Sequence, residues 1–269
     1  MTISYDISQV APYINWAYFY FAWQLKDVNE QQNIRQEADT FLRQLEGQYK
    51  THAVFRLLDA YSEDDDIVVL DDSDAEHEVH IACLRQQQLG SDYLCLPDFL
   101  PPKAQAAGTR IGLFATSVDH GLETDFERDA YAKMMAQLLA DRLAEATAEL
   151  MHLEVRRRYW GYAADEQLSI DDLHAERFQG IRPAVGYPSL PDASLNFVLD
   201  RLLNMGQIGI RLTENGAMRP HASVSGLMIA HPKARYFAVG KVGDDQLHDY
   251  ARRRAMPVEL ARKFLAANL

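Results

Sequence analysis

Cysteine is nearly missing from this chain: Cys83 and Cys95 are the only two in 269 residues. Two thiols are too few for a disulfide scaffold, and no C-x-x-C spacing offers zinc or thiol redox chemistry. That usage points to a reducing, cytoplasmic setting. Basic charge is also in short supply, with 27 Lys and Arg against 39 Asp and Glu and a formal net charge of −12. Phosphate binding needs cations clustered on one face, so no nucleic-acid partner is expected. The local exceptions, Arg156-Arg157-Arg158 and Arg252-Arg253-Arg254, read as basic last turns of helices that complement the helix dipole. Long apolar runs are lacking too. Tyr13 to Leu25 falls short of the about 20 apolar residues that a bilayer span takes, and Asn15 and Gln24 interrupt it. No Lys or Arg precedes Lys26, so the charged region that opens a signal peptide is missing. Neither a membrane nor export is expected.

Several catalytic signatures are absent as well. The chain has no G-x-G-x-x-G, Walker A loop, H-E-x-x-H or G-x-S-x-G. Glu149-Leu-Met-His152 has the E-x-x-H spacing of carboxylate-bridged di-iron bundles, but such sites need a second helical copy and none is present, so no metal site is read here.

What is there suits a large core. Hydrophobic residues make up 48% and charged residues 25%, with 14 Gly and 10 Pro, a composition that excludes disorder, collagen and coiled coil. Surface scaling for this length gives roughly 12,000 Å² folded against about 44,000 Å² extended, enough burial without disulfides or a structural metal. The length allows one large domain or two small ones. Periodicity predicts an aromatic helix over 8–25, an amphipathic helix over 29–50 with Phe41 and Leu45 on one face, and a long helix over 123–158 free of Pro and Gly. The apolar stripe of that long helix is Phe126, Ala130, Met134, Leu138, Ala144 and Leu150. A short helix starts at Ser169 and stops at Gly180, and others cover 192–205, 244–254 and 257–267. Strands are predicted over 53–58, 67–70, 78–84, 110–116, 208–212, 222–231 and 236–242. Between Leu57 and Leu84 there is no Lys or Arg, and ten residues are Asp or Glu. This run reads as a solvated hairpin, since it lacks the spacing of a calcium loop. Hairpins and helices mix without a βαβ rhythm, which argues an α+β fold with a largely antiparallel sheet.

One segment stands out. Gly180-Ile-Arg-Pro-Ala-Val-Gly-Tyr-Pro188 packs two prolines and two glycines into nine residues. The prolines fix the backbone and the glycines let a ligand approach it. Arg182 offers a bidentate fork for a carboxylate, and Tyr187 an aromatic face with a hydroxyl. The same features also suit an ordinary rigid turn.

This segment resembles the R-P-A-x-G-Y-P signature of the C-terminal activation domain of cobalamin-dependent methionine synthase. Further segments match in the same order: Tyr13-Ile-Asn-Trp16, Leu94-Cys-Leu-Pro-Asp-Phe99, Ala140-Asp-Arg-Leu-Ala-Glu145, Tyr159-Trp-Gly-Tyr162, Ala222-Ser-Val-Ser-Gly226 and His231-Pro232 through Val239. The resemblance covers nearly the whole chain, and 1–269 is read as one activation domain. It implies a single C-shaped α+β domain with a bent antiparallel sheet flanked by helices. It implies that S-adenosylmethionine is bound and its methyl group presented to inactive cob(II)alamin on a partner, with flavodoxin or an equivalent reductant supplying the electron that completes reductive methylation. The chain would then act as the reactivation module of a methyltransferase in methionine biosynthesis, with no turnover apart from its cobalamin-bearing partner.

Residue roles follow from the same resemblance. Arg182 matches the carboxylate-binding arginine. Ala184 and Gly186 bring backbone close to the ligand. Tyr187 matches the tyrosine near the methyl group and the corrin face, the catalytic position. Tyr236 and Phe237 match a ligand-contacting aromatic pair on a strand, although alone they read as sheet packing. Glu145 and Glu176 match acidic positions that balance the cationic ligand, although alone they read as solvated helix residues. Asp141, one turn before Glu145, matches the position that faces the docked cobalamin domain and receives its displaced histidine. Asn15 stands where the family has a ligand-contacting aspartate, keeping the hydrogen bond and losing the charge. The chain carries no D-x-H-x-x-G cobalamin-binding segment, so the cobalamin is expected on another domain or subunit. Two other readings stay open at this level: a module serving another corrinoid methyltransferase, and a non-catalytic ligand-binding module.

Overall fold

Val54, Phe55, Leu57, Leu58 and Tyr61 lie within one long strand, β2 (Lys50–Glu63), and the sheet is assembled on it. The computed structural model describes residues 1–71 and 78–269. β1 (Thr2–Asp6) pairs antiparallel with the start of β2, Tyr5 opposite Thr51. β3 (Asp66–Leu70) pairs antiparallel with its end, Tyr61 opposite Val68, and β4 (Glu78–Ala82) pairs with β3, Ile67 opposite Ile81. With β5 (Arg110–Val118) and β8 (Ser223–Met228) the order is β4-β3-β2-β5-β8. β6 (Arg211–Leu212) and β7 (Met218–Arg219) form a separate two-stranded ribbon. The expected hairpin is therefore present as β3–β4; Asp72, Asp74 and Glu76 of its acidic run lie outside the described residues. The helices and this largely antiparallel sheet make the α+β fold read from the sequence.

The chain forms two compact units. The first comprises Met1–Phe55, Phe114–Phe178 and Leu203–Val224. Its helices are α1 (Ile7–Val10), α2 (Trp16–Ala22), α3 (Val28–Leu45), α4 (Gly121–Thr124), α5 (Ala130–Glu154) and α6 (Ile170–His174). α5 is the central one. α1, α2 and α3 all pack on it, and Ala136, Ala140 and Ala144 are among its buried residues. The Thr116 hydroxyl on β5 donates to the Ala144 carbonyl at 3.0 Å.

Local capping redraws two helices. The stretch 8–25 is broken because Pro12 sits in a 3₁₀ turn, Ala11–Tyr13, and Ile14 and Asn15 are extended. Asn15 then starts a new helix, its Oδ1 accepting the Ala17 N–H at 3.2 Å. The stretch 123–158 begins only at Ala130, because the Asp129 carboxylate accepts the N–H groups of Tyr131 (2.9 Å) and Ala132 (3.1 Å). The stripe shifts with it. Met135, Leu139 and Leu143 are buried, while Met134 is exposed. Beyond Glu154 a π-helical turn, Val155–Tyr159, turns Arg156 into the core. There its guanidinium binds Glu166 (2.7 Å) and His152 Nδ1 (2.9 Å) and lies over the Phe178 ring. Arg156 is thus a buried tie, not a solvated helix end; Arg157 and Arg158 are exposed.

The second unit comprises Arg56–Leu113, Gln179–Leu202 and Ser225–Leu269. It holds β3, β4, most of α7 (Leu195–Leu203), α8 (Asp244–Arg253) and α9 (Val258–Phe264). Leu84, Val239, Leu247, Tyr250 and Leu265 form part of its core, with Phe237 packed against them. Arg253, in the expected basic last turn of α8, also donates to Asp66 and to the Cys83 carbonyl (3.0 Å). Cys83 and Cys95 are buried free thiols, and burial pushes both thiols up. The segment 236–242, expected as a strand, belongs to no ladder. Its backbone groups are taken elsewhere: Val239 N–H by the Pro188 carbonyl (2.9 Å), Val242 N–H by Asn268 (2.8 Å), and the Ala238 carbonyl by the Gln86 amide (2.8 Å).

Candidate functional site

The Gly180–Pro188 segment lies along β8 and the residues just after it. Ile181 exchanges both backbone hydrogen bonds with Ile229, each 2.9 Å. The Pro183 carbonyl accepts from Leu227 N–H (3.0 Å), and Val185 N–H reaches the Ser225 carbonyl (2.9 Å). Proline supplies no N–H, so Pro183 joins as an acceptor only. Ala184 pairs with Gly226 in an isolated bridge and is buried. The chain then turns at Gly186, whose φ of +87° suits glycine. Its N–H binds the Leu190 carbonyl at 2.8 Å. A side chain at Gly186 would meet nothing within 4 Å, so the face over this turn is open. Tyr187 follows, with half of its surface exposed.

The second segment of this group is 236–239. The Arg182 N–H donates to the Tyr236 hydroxyl at 2.8 Å. The Ser189 hydroxyl donates to the Phe237 carbonyl and accepts the Phe237 N–H at 3.2 Å. The second unit therefore brings together Arg182, Ala184, Gly186, Tyr187, Tyr236 and Phe237. The two aromatics sit on backbone held by side chains rather than on a ladder strand. Tyr236 keeps its hydroxyl on Arg182, and Phe237 packs its ring toward the core.

The first unit carries Asn15, Asp141, Glu145 and Glu176. Asn15 caps α2, which packs on α5. Asp141 and Glu145 lie one turn apart on α5. α6 is tied to the stretch before Asn15, since His174 Nε2 donates to the Tyr13 carbonyl at 3.0 Å. Gly180 does not stop α6. Glu176 does, in a left-handed conformation with φ +55°. Its N–H binds the Leu173 carbonyl (3.0 Å), and the Arg177 N–H binds the Asp172 carbonyl (3.0 Å). These two bonds are the closing pair of a Schellman turn, a position that favours glycine. A carboxylate-bearing residue there accepts backbone strain of about 1 kcal/mol.

Burial raises the Asp141 carboxyl above the ordinary carboxylate range, and the neighbouring His221 and Arg142 oppose the shift. His221 Nδ1 lies 3.7 Å from Asp141 Oδ1. The Glu123 carboxylate holds that histidine's backbone, accepting the N–H of His221 and that of Ala222 (3.2 Å). Sequence reasoning misses Glu123, His221 and Ser189. Ser189 directly follows the Tyr-Pro of the motif, which is the one local signal for it. Glu123 and His221 are 98 residues apart and carry none.

Within the second unit, Arg182 carries a guanidinium of the kind that takes a carboxylate, on the turn that also holds the open face at Gly186 and the exposed ring of Tyr187. Over residues 6–255 the chain matches the family model described as the activation domain of vitamin B12 dependent methionine synthase. Among solved structures it is similar to a crystal structure of the MetH reactivation domain bound to AdoHcy, with a TM-score of 0.91 and 37% identity over 100% of this chain and 90% of that one.

Proposed function

This chain belongs to the activation-domain family of vitamin B12-dependent methionine synthase, and from that premise we propose that it binds S-adenosylmethionine and presents its methyl group to a partner's inactive cobalamin for reductive methylation. Residues 1–269 act in this reading as one activation domain. The observation that carries it is the Arg182–Tyr187 turn. A guanidinium, an open glycine face and an exposed tyrosine follow one another on backbone anchored to 225–229.

When bound, S-adenosylmethionine supplies an electrophilic methyl group on a sulfonium. Arg182 takes the ligand carboxylate in a charge-assisted fork. Ala184 and Gly186 offer main chain at close approach, with no side chain to exclude the ligand at Gly186. Tyr187, exposed at the turn, would present its ring to the ligand's methyl group. Tyr236 and Phe237 border the same turn. Asn15, Glu145 and Glu176 supply oxygens to the ammonium and sulfonium charges. Asp141 would receive a histidine of the docked cobalamin domain, and flavodoxin or an equivalent reductant would supply the electron. The protein's part is binding and orientation.

The relative crystallised with AdoHcy supports the ligand class. The test is calorimetric titration with S-adenosylmethionine and S-adenosylhomocysteine. It is followed by a reactivation assay in which the chain is added to cob(II)alamin-loaded methionine synthase lacking its own activation domain, with a reductant. Saturable binding of both ligands and recovered turnover are expected. No binding at millimolar ligand, or binding without recovered turnover, overturns the reading.

A further inference from the structure

We infer that Ser189 is a positioning residue for the carboxylate end of the ligand site, acting through Phe237 and Tyr236 on Arg182. The inference rests on the ligand reading above. Ser189 is only 6% exposed, and its single hydroxyl meets both backbone groups of Phe237. It therefore does for residue 237 what a neighbouring strand would do, satisfying one N–H and one C=O. No ladder reaches this segment, so the hydroxyl stands in for one. The adjacent bond from Val239 N–H to the Pro188 carbonyl (2.9 Å) extends the same join.

The consequence passes one residue back along the chain. With the main chain of Phe237 held and its ring packed on the core, Tyr236 has its hydroxyl on the Arg182 N–H. That contact adds to the bonds at Ile181 and Pro183 in holding the backbone from which the guanidinium projects. A buried serine in the motif loop thus helps to hold the point where the carboxylate fork begins. Alanine at 189 would leave a partly buried N–H and C=O of Phe237 without this partner, and the segment would shift to satisfy them. Catalytic geometry is sensitive to displacements of this kind.

The test separates positioning from plain destabilisation by comparing two ligands. S-adenosylmethionine carries the carboxylate; decarboxylated S-adenosylmethionine does not. The parent chain is expected to prefer the carboxylate form. Ser189→Ala should weaken S-adenosylmethionine binding about tenfold while changing the decarboxylated ligand by less than about twofold, so the preference collapses. A general loss of folded protein lowers both affinities together and leaves the ratio intact. Tyr236→Phe removes only the hydroxyl at the far end of the same link. It gives the identical comparison should Ser189→Ala fail to fold. An unchanged ratio in the folded variant overturns the role of Ser189 and leaves the ligand site standing. A parent chain that binds neither ligand, or does not prefer the carboxylate form, overturns the site reading and this inference with it.

Discussion

A guanidinium and an amide carry the sharpest expectations among individual residues. Arg182→Ala should weaken S-adenosylmethionine binding by about 1.5–3 kcal/mol, the usual worth of a hydrogen bond to a charged group. Calorimetry that finds unchanged affinity removes Arg182 from the site. Asn15 has two jobs to separate. It caps α2 through Oδ1, and it stands where the family has an aspartate. Aspartate caps equally well, so Asn15→Asp keeps the helix and adds a negative charge. Affinity for the cationic ligand should hold or improve. A clear loss in the same titration would mean that the pocket is arranged differently around position 15. Glu176 shows a residue whose place its neighbours in sequence do not announce: it ends α6 in a left-handed turn where glycine is the ordinary choice.

At the scale of elements, side chains set the boundaries. Asn15 and Asp129 start helices inside runs that are continuous by apolar period, because a carboxylate or amide oxygen satisfies the orphan N–H groups of a first turn. The π-helical turn at the end of α5 has the opposite effect, turning a basic residue inward. Arg156 has no exposed side-chain surface, and its partner Glu166 is nearly as buried. Removing one member of a buried ion pair strands the other, so Arg156→Ala should cost about 3–5 kcal/mol in denaturant unfolding. A loss under about 1 kcal/mol would place this pair with surface ion pairs. His152 Nδ1 accepts from the Arg156 guanidinium at 2.9 Å. The E-x-x-H spacing read in the sequence thus has a packing role at its histidine.

The whole molecule enters through linkage between protonation and folding. Asp141 is raised by burial, with His221 and Arg142 opposing. A carboxyl raised on folding binds its proton more tightly in the folded chain. Stability therefore falls as pH rises from the unfolded-state value through the folded one. Asn does not ionise. Asp141→Asn should match the parent in acid below this range and be more stable at neutral pH, read as a melting difference that grows with pH. A difference that is flat or of opposite sign would show that the His221 contact, not burial, governs this carboxyl. The acidic balance of the chain acts at the same scale. A net charge of −12 repels phosphate backbones at long range, and no helix among the described residues is long and apolar enough to cross a membrane.

Composition, short-range periodicity and the ordered residues from Tyr13 to Val239 were enough for the class of fold, the family and the Gly180–Pro188 turn. All three are local information. The β3–β4 hairpin was legible for that reason, as were the helix over 244–254 and the loop from Gly180 to Pro188. Where backbone groups without a local partner find one is set by the packed molecule alone. The stretch from Tyr236 to Val242 has the composition of a strand, yet its N–H and C=O groups are met by Pro188, Ser189, Gln86 and Asn268. Arg156 reads locally as part of a basic last helix turn because its partner Glu166 is reached through the π turn. Glu123 and His221 meet across 98 residues, a separation at which spacing carries no signal. The cause is common to all three. Backbone and side-chain polar groups take partners that packing brings to them, and which distant group meets each depends on how the elements pack, which no local pattern encodes.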